Sequence, residues 1–319
     1  MHYSIRHVTK FRYDTPISES LTEVHMQPRS DGFQRCLSFE LFVSPRARVL
    51  SYRDYLGNLV HHFDIPGRHS QLAIKSEALI EITAAPEIPD KLDADAWDKL
   101  DALSADNENW DMLLPSHFAQ TTDLLLEFAR ELDIQRRDDP LTLMREVNRR
   151  LHDAFEYVPQ STEVDSPIDD ALQSRQGVCQ DFAHVMIALG RMIGIPSRYV
   201  SGYLYHRVED QDRSLQDATH AWVEVLLPDL GWIGFDPTNN LLAGDRHIRT
   251  AIGRDYADVP PTRGVFKGDT KSALSVAVQV SPTVRQPPEN EDTTMLSWST
   301  FDNRLTPEAQ EQQQQQQQQ

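Results

Sequence analysis

Residues 177–204 read GVCQDFAHVMIALGRMIGIPSRYVSGYL, and the pattern in this stretch governs the reading of the rest. Phe182, Val185, Met186, Leu189 and Ile193 recur at three- and four-residue intervals, which predicts an amphipathic helix from Cys179 to about Ile193. Gly194 and then Pro196 supply the stop, glycine just past the end and proline shortly after. A β-rich run follows at Arg198–Tyr205. Cys179 therefore stands where a loop ends and a helix begins. A helix start presents unpaired N–H groups and a partial positive charge, which favour a thiolate and can hold an oxyanion. The competing reading is a buried structural cysteine, since free cysteines are often buried.

A thiol nucleophile needs a base, and residues 219–240, THAWVEVLLPDLGWIGFDPTNN, offer one. His220 lies 41 residues after Cys179 and opens an alternating strand to Leu227, so Ala221 and Val223 point to the opposite face. Asp236, 16 residues further on, ends the next strand, Trp232–Asp236, before a turn on Pro237. Two adjacent antiparallel strands would set the two side chains side by side. A carboxylate on an imidazole fixes the tautomer that a cysteine hydrolase uses. A lone histidine is more often a surface or satisfied core residue. An ordered Cys–His–Asp set on a helix start and paired strands is much rarer by chance.

Outward from this centre, residues 2–83 read as short strands. Runs at Tyr3–Tyr13, Leu37–Val43, Arg48–Tyr55, Leu59–Ile65 and Ala73–Thr83 are split by Gly and Pro turns, with Gly57-Asn58 as a tight hairpin. That spacing suggests a β-sandwich over residues 1–85. Residues 86–155 carry helical periodicity, with Asp138-Asp139-Pro140 as a helix start. Residues 156–285 mix the Cys179 helix with strands and close on an alternating run at Leu274–Val280. From 286 to 319 the chain is acidic and ends in eight glutamines, which predicts a disordered tail.

The net charge of -18 argues against nucleic acid, because phosphate binding needs Lys and Arg. Nine acidic residues and two lysines between Pro86 and Asp111 read as a solvated acidic face. No run approaches the ~20 apolar residues of a membrane helix. The opening residues lack a signal-peptide pattern, so a cytoplasmic location is expected. Cys36 and Cys179 form no CxxC pair, and no metal is expected at them.

The segments at 177–204 and 219–240, together with GRDYADVPPTRGVFKG at 253–268, resemble the bacterial branch of the transglutaminase-like superfamily. Residues 1–83 resemble the β-rich domain that accompanies it. The resemblance implies an α+β fold with a papain-like core, the nucleophile heading a helix packed on an antiparallel sheet. It places the catalytic residues at Cys179, His220 and Asp236, and it implies acyl transfer through a thioester. Water as acceptor gives a peptidase or amidase, and an amine gives a transglutaminase. A peptide or protein amide is the expected substrate, with no cofactor. A binding or assembly module is the non-enzymatic alternative. Tyr157 and Gln160 are candidate oxyanion donors by type. Trp222 either walls the site or fills the gap between sheet and helix. His184 is read as structural, and Asp255 and Tyr256 as a site-edge loop or only a turn.

Overall fold

Alternation of apolar and polar residues over the first eighty positions produces two antiparallel sheets. A computed structural model describes residues 1–84, 87–105, 109–207, 209–216 and 218–283; the tail expected at 286–319 lies outside the described residues. The strands are β1 (His2–Ile17), β2 (Glu19–Val24), β3 (Gln34–Ser44), β4 (Leu50–Arg53), β5 (Leu59–Ile65) and β6 (His69–Ile82). Each run expected from periodicity forms a strand. β2 was not expected, because its inward residues include Ser20 and Thr22 while Leu21 faces solvent, the reverse of the usual signal.

Helices fill the middle of the chain: α1 (Ala96–Ala105), α2 (Asp123–Glu131), α3 (Pro140–Ala154), α4 (Ile168–Ser174) and α5 (Cys179–Met192). α1 buries only Ala96 and Leu100 and turns its acids to solvent. Asp139 caps α3 through Leu141 and Thr142, with Pro140 in the first turn. Between α3 and α5, β7 (Glu156–Tyr157) pairs in parallel with β8 (Gln176–Gly177). Then follow β9 (Ser197–Leu204), β10 (Thr219–Leu227), β11 (Gly231–Asp236), β12 (Leu241–Leu242) and β13 (His247–Gly253), in the spatial order β12-β11-β10-β9-β13. One face of this sheet, through Ala221, Val223, Val225 and Phe235, shares its core with Phe182, Val185 and Met186 of α5.

The chain then returns to its beginning. β14 (Thr262–Lys267) pairs with β2, and β15 (Ser272–Pro282), the strand expected at Leu274–Val280, pairs with β1. The last two strands thus complete the N-terminal sheets, β15-β1-β6-β3 and β14-β2-β5-β4. Tyr13, Ile17, Val24, Phe63 and Leu72 fill the space between those sheets. Tyr3, Ile5, Ile80 and Val276 meet Tyr203 and Ile248 of the central sheet.

The edge strand β13 is covered by two side-chain amides from the N-terminal region. Gln34 Nε2 donates to the Arg249 carbonyl (2.9 Å), while Gln34 Oε1 accepts the Arg249 N–H (2.8 Å). Asn58 does the same at Ile252, donating to its carbonyl (2.7 Å) and accepting its N–H (2.9 Å). Each amide stands in for a neighbouring strand on an edge that would otherwise present unpaired backbone groups. Asn58 is fully buried. Replacing Asn58 with Ala strands both backbone groups of Ile252, at about 1–3 kcal/mol for each buried group left unsatisfied. We expect Asn58→Ala to lower the urea midpoint and to speed hydrogen exchange at the Ile252 amide. Unchanged exchange there would show that the amide is not what protects β13.

Candidate active site

Three strand ends and one helix start meet at a single rim. Because β9, β10, β11 and β13 alternate in direction, the start of β10 (His220), the end of β11 (Asp236) and the start of β13 (His247) fall on the same edge of the sheet. Cys179 is the first residue of α5. Asp181, two residues on, accepts the Val178 N–H (2.8 Å) and the Thr162 hydroxyl (2.6 Å), tying the helix start to the preceding loop. Burial pushes its carboxyl up to about 6 against those bonds. Gly177 is required here, since a Cβ would lie 2.8 Å from that of Asp181.

Cys179, His220 and Asp236 are 2%, 4% and 0% exposed, so their chemistry is shielded from bulk water. His220 Nε2 donates to Asp236 Oδ2 at 2.8 Å. Nδ1 of the same ring is buried without a hydrogen-bond partner of ordinary geometry. Cys179 lies close enough for its charge to act on the imidazole, and with Nε2 taken, Nδ1 is the nitrogen left to face the sulfur. Trp222 stacks on the His220 ring (centroids 6.1 Å apart, 27°) and packs with Val200 and Ile252 on the sheet face away from α5, so it does not fill the gap between sheet and helix. Gly202 makes room for that indole, because a Cβ would fall 2.7 Å from it.

The other expected residues fall around this centre. Tyr157 pairs with Gly177 across β7 and β8, two residues before Cys179. It also lines a cleft of about 630 Å³ with Phe155, Arg175, Gln176 and Arg213. Gln160 is exposed on the following turn at φ +64°. His184 lies inside the structure, stacked on Phe118 (5.2 Å) and accepting the Tyr256 N–H (3.2 Å). Asp255 caps the turn Tyr256–Asp258 and accepts the Phe118 N–H (2.7 Å), so this segment is a buried bracket. Burial raises the phenol pKa of both Tyr199 and Tyr256, and the charge of Cys179 raises it further, which brings both rings into the environment of the thiol.

Two residues of the site were not singled out from the sequence. Asn239 donates Nδ2–H to Asp236 Oδ2 (2.8 Å), and His247 Nε2 lies 3.2 Å from the same oxygen. Asp236 Oδ1 accepts the N–H groups of Thr238 (3.1 Å) and Asn239 (3.2 Å). Ligand atoms of His220, Asp236 and His247 lie within 4.8 Å of one another, a spacing that also suits a metal ion. Gly244 N–H, however, donates to His247 Nδ1 (3.3 Å), which leaves the proton of a neutral ring on Nε2. Both nitrogens facing the carboxylate are then donors, the arrangement of a hydrogen-bonded anion.

Burial alone would push the His220 pKa down, but the Asp236 charge and hydrogen bond, with Cys179, outweigh it and raise it to about 10. Asp236 is held well below the usual carboxylate range by His220 and His247 against its own burial. His220 binds its proton more tightly folded than unfolded. Its contribution to stability is fully present below its unfolded pKa of 6.5 and is lost as the pH rises through about 10. In ¹⁵N-histidine NMR spectra we expect His220 to stay an imidazolium at pH 8 and to titrate near 10. A neutral ring at pH 8 would refute the ion pair.

Residues 127–237 match the transglutaminase-like superfamily and residues 3–81 the bacterial transglutaminase-like N-terminal region. An uncharacterized protein of Mycobacterium tuberculosis is 32% identical over 296 residues, 88% of this chain and 92% of that one. A protein-glutamine gamma-glutamyltransferase of Pseudomonas aeruginosa is 32% identical over 130 residues, 39% of this chain and 19% of the relative. A solved structure of a candidate cysteine protease from Cytophaga hutchinsonii superposes with a TM-score of 0.69 at 20% identity, over 90% of this chain and 93% of the other; at that identity it speaks for the fold. Cys179, His220 and Asp236 fall within the first matched region and strands β1 to β6 almost wholly within the second, and the chain belongs to the transglutaminase-like superfamily, with its bacterial N-terminal region.

Proposed function

We propose that the chain is a cysteine-dependent amide hydrolase, a peptidase or amidase, that works through a thioester. The observation that carries this reading is His220 set between Asp236 and Cys179, with Cys179 heading α5. In this reading the Cys179 sulfur, as thiolate, attacks an amide carbonyl carbon and forms a C–S bond. The N–H groups of the first turn of α5 face the developing oxyanion. His220, as imidazolium, gives its proton to the departing nitrogen as the C–N bond breaks. The now neutral ring then takes a proton from water, whose oxygen attacks the thioester and releases the acid. Asp236 stays ionised throughout and holds the ring in one tautomer.

A second reading, transfer of the acyl group to an amine, draws on the likeness to the Pseudomonas aeruginosa gamma-glutamyltransferase. The two readings share every step up to the thioester and differ only in the acceptor.

Cys179→Ala is expected to reduce release of ammonia or amine from a peptide amide library by at least about 10³-fold, over 4 kcal/mol in barrier, with the fold retained. Residual activity within about tenfold of wild type would place the nucleophile elsewhere. Intact mass spectrometry should find the acyl adduct on Cys179 and none on Cys36, whose thiol burial pushes up to about 11. Adding a labelled primary amine separates the readings: incorporation in place of hydrolysis selects the transferase.

A further inference from the structure

We infer that His247 is a positioning residue of this site: a neutral imidazole that donates Nε2–H to Asp236 Oδ2 and so holds the carboxylate toward His220. The inference rests on the proposed roles of His220 and Asp236, and it concerns how their pair is kept in place.

The ring's orientation is fixed from both ends. At one end Gly244 N–H donates to Nδ1 (3.3 Å), and the His247 N–H returns a bond to the Gly244 carbonyl (3.1 Å), so a tight turn grips the residue. At the other end Nε2 meets Asp236 Oδ2 at 3.2 Å, on the oxygen that also accepts from His220. The indole of Trp222 lies edge-on against the ring (5.2 Å, 72°) while stacking on His220, so one aromatic spaces both imidazoles. His247 is 4% exposed.

Neutrality is what makes a second histidine useful here. A second imidazolium would compete with His220 for the one negative charge and repel it. A neutral donor instead stabilises the ionised carboxylate and adds no cation. The groups that bear on the pair's protonation are Cys179 at the start of α5, Arg246 beside His247, and His206 on the segment after β9, itself bonded to Asp212 (3.1 Å). Burial, His220 and Arg246 outweigh Asp236 and together disfavour a proton on His247.

His247→Leu removes the donor, and His247→Gln carries an amide N–H at about the same reach. In ¹⁵N-histidine NMR we expect the Leu variant to lower the His220 titration by about one pH unit, a tenfold loss of proton affinity. The Gln variant should restore most of it. In turnover assays on peptide amides the alkaline limb of kcat should follow the same order. In the wild type, His247 should show an unprotonated Nδ1 and a protonated Nε2 from pH 6 to 8. That last measurement stands even if the Leu variant fails to fold. A charged His247, the opposite tautomer, or an unmoved His220 titration in a folded Leu variant would overturn the inference. So would equal effects of Leu and Gln. Because the NMR readouts need no turnover, they separate failure of this inference from failure of the hydrolase reading.

Discussion

A carboxylate with no exposed surface has to be compensated where it lies, and Asp236 is the point on which this rim of the structure turns. Desolvating a charge costs several kcal/mol unless partners replace the lost water. Asp236 gathers five donors. Two are backbone N–H groups of its own turn and one is the Asn239 amide, so three of the five come from within three residues. The other two are imidazoles on β10 and β13, on either side of β9. The anion is therefore fully compensated only when three separate strands reach the same rim in register.

That division explains how much of the site could be read in advance. Cys179 was legible because a helix start has local marks: a 3.6-residue apolar period behind it and a glycine stop beyond. His220 and Asp236 were legible because each ends or opens an alternating run, and the short link between the runs implied antiparallel neighbours. Asn239 was within reach of the same logic, as a polar residue in the turn that Asp236 opens. His247 was not. Its strand pairs with β9, and its approach to Asp236 depends on sheet order, which periodicity does not encode. The same limit applies to the sheets. The alternation at Leu274–Val280 announced a strand, but not that it would pair with β1. In β2, inward-facing Ser20 and Thr22 reversed the signal itself. α4, at seven residues, is too short to show a helical period.

The N-terminal sheets bear on the rim through β13. That strand carries Arg249 and Ile252, whose backbone groups are held by Gln34 and Asn58, and it begins with His247. Arg249 adds charge to the same seam, with Nη2 on Asp31 Oδ1 (2.6 Å) and Nη1 on Glu224 (3.2 Å), the latter also bound by Arg198. Glu224 lies on the β10 face that carries His220 and Trp222. Arg198, Glu224 and Arg249 are largely buried and Asp31 is half-buried, and each has an opposite partner, so removing one of the buried groups leaves its neighbour uncompensated.

One seven-residue strand thus joins the two halves of the molecule. Its residues Arg249 and Ile252 take backbone partners from the N-terminal region, and its first residue supplies a donor to the carboxylate beside His220. A sheet edge without those amides would present free N–H and C=O groups and would fray from that side. The chain order reinforces the seam, because β14 and β15 follow β13 directly and pair with β2 and β1. The strand is anchored at one end by its own continuation into the N-terminal sheets and at the other by the turn from Gly244 to His247. A rigid edge suits a site whose geometry depends on a hydrogen bond from that edge to a buried anion. The β-rich region is thus part of the support of the rim that carries His220 and Asp236, while the five donors to Asp236 come from His220, Thr238, Asn239 and His247.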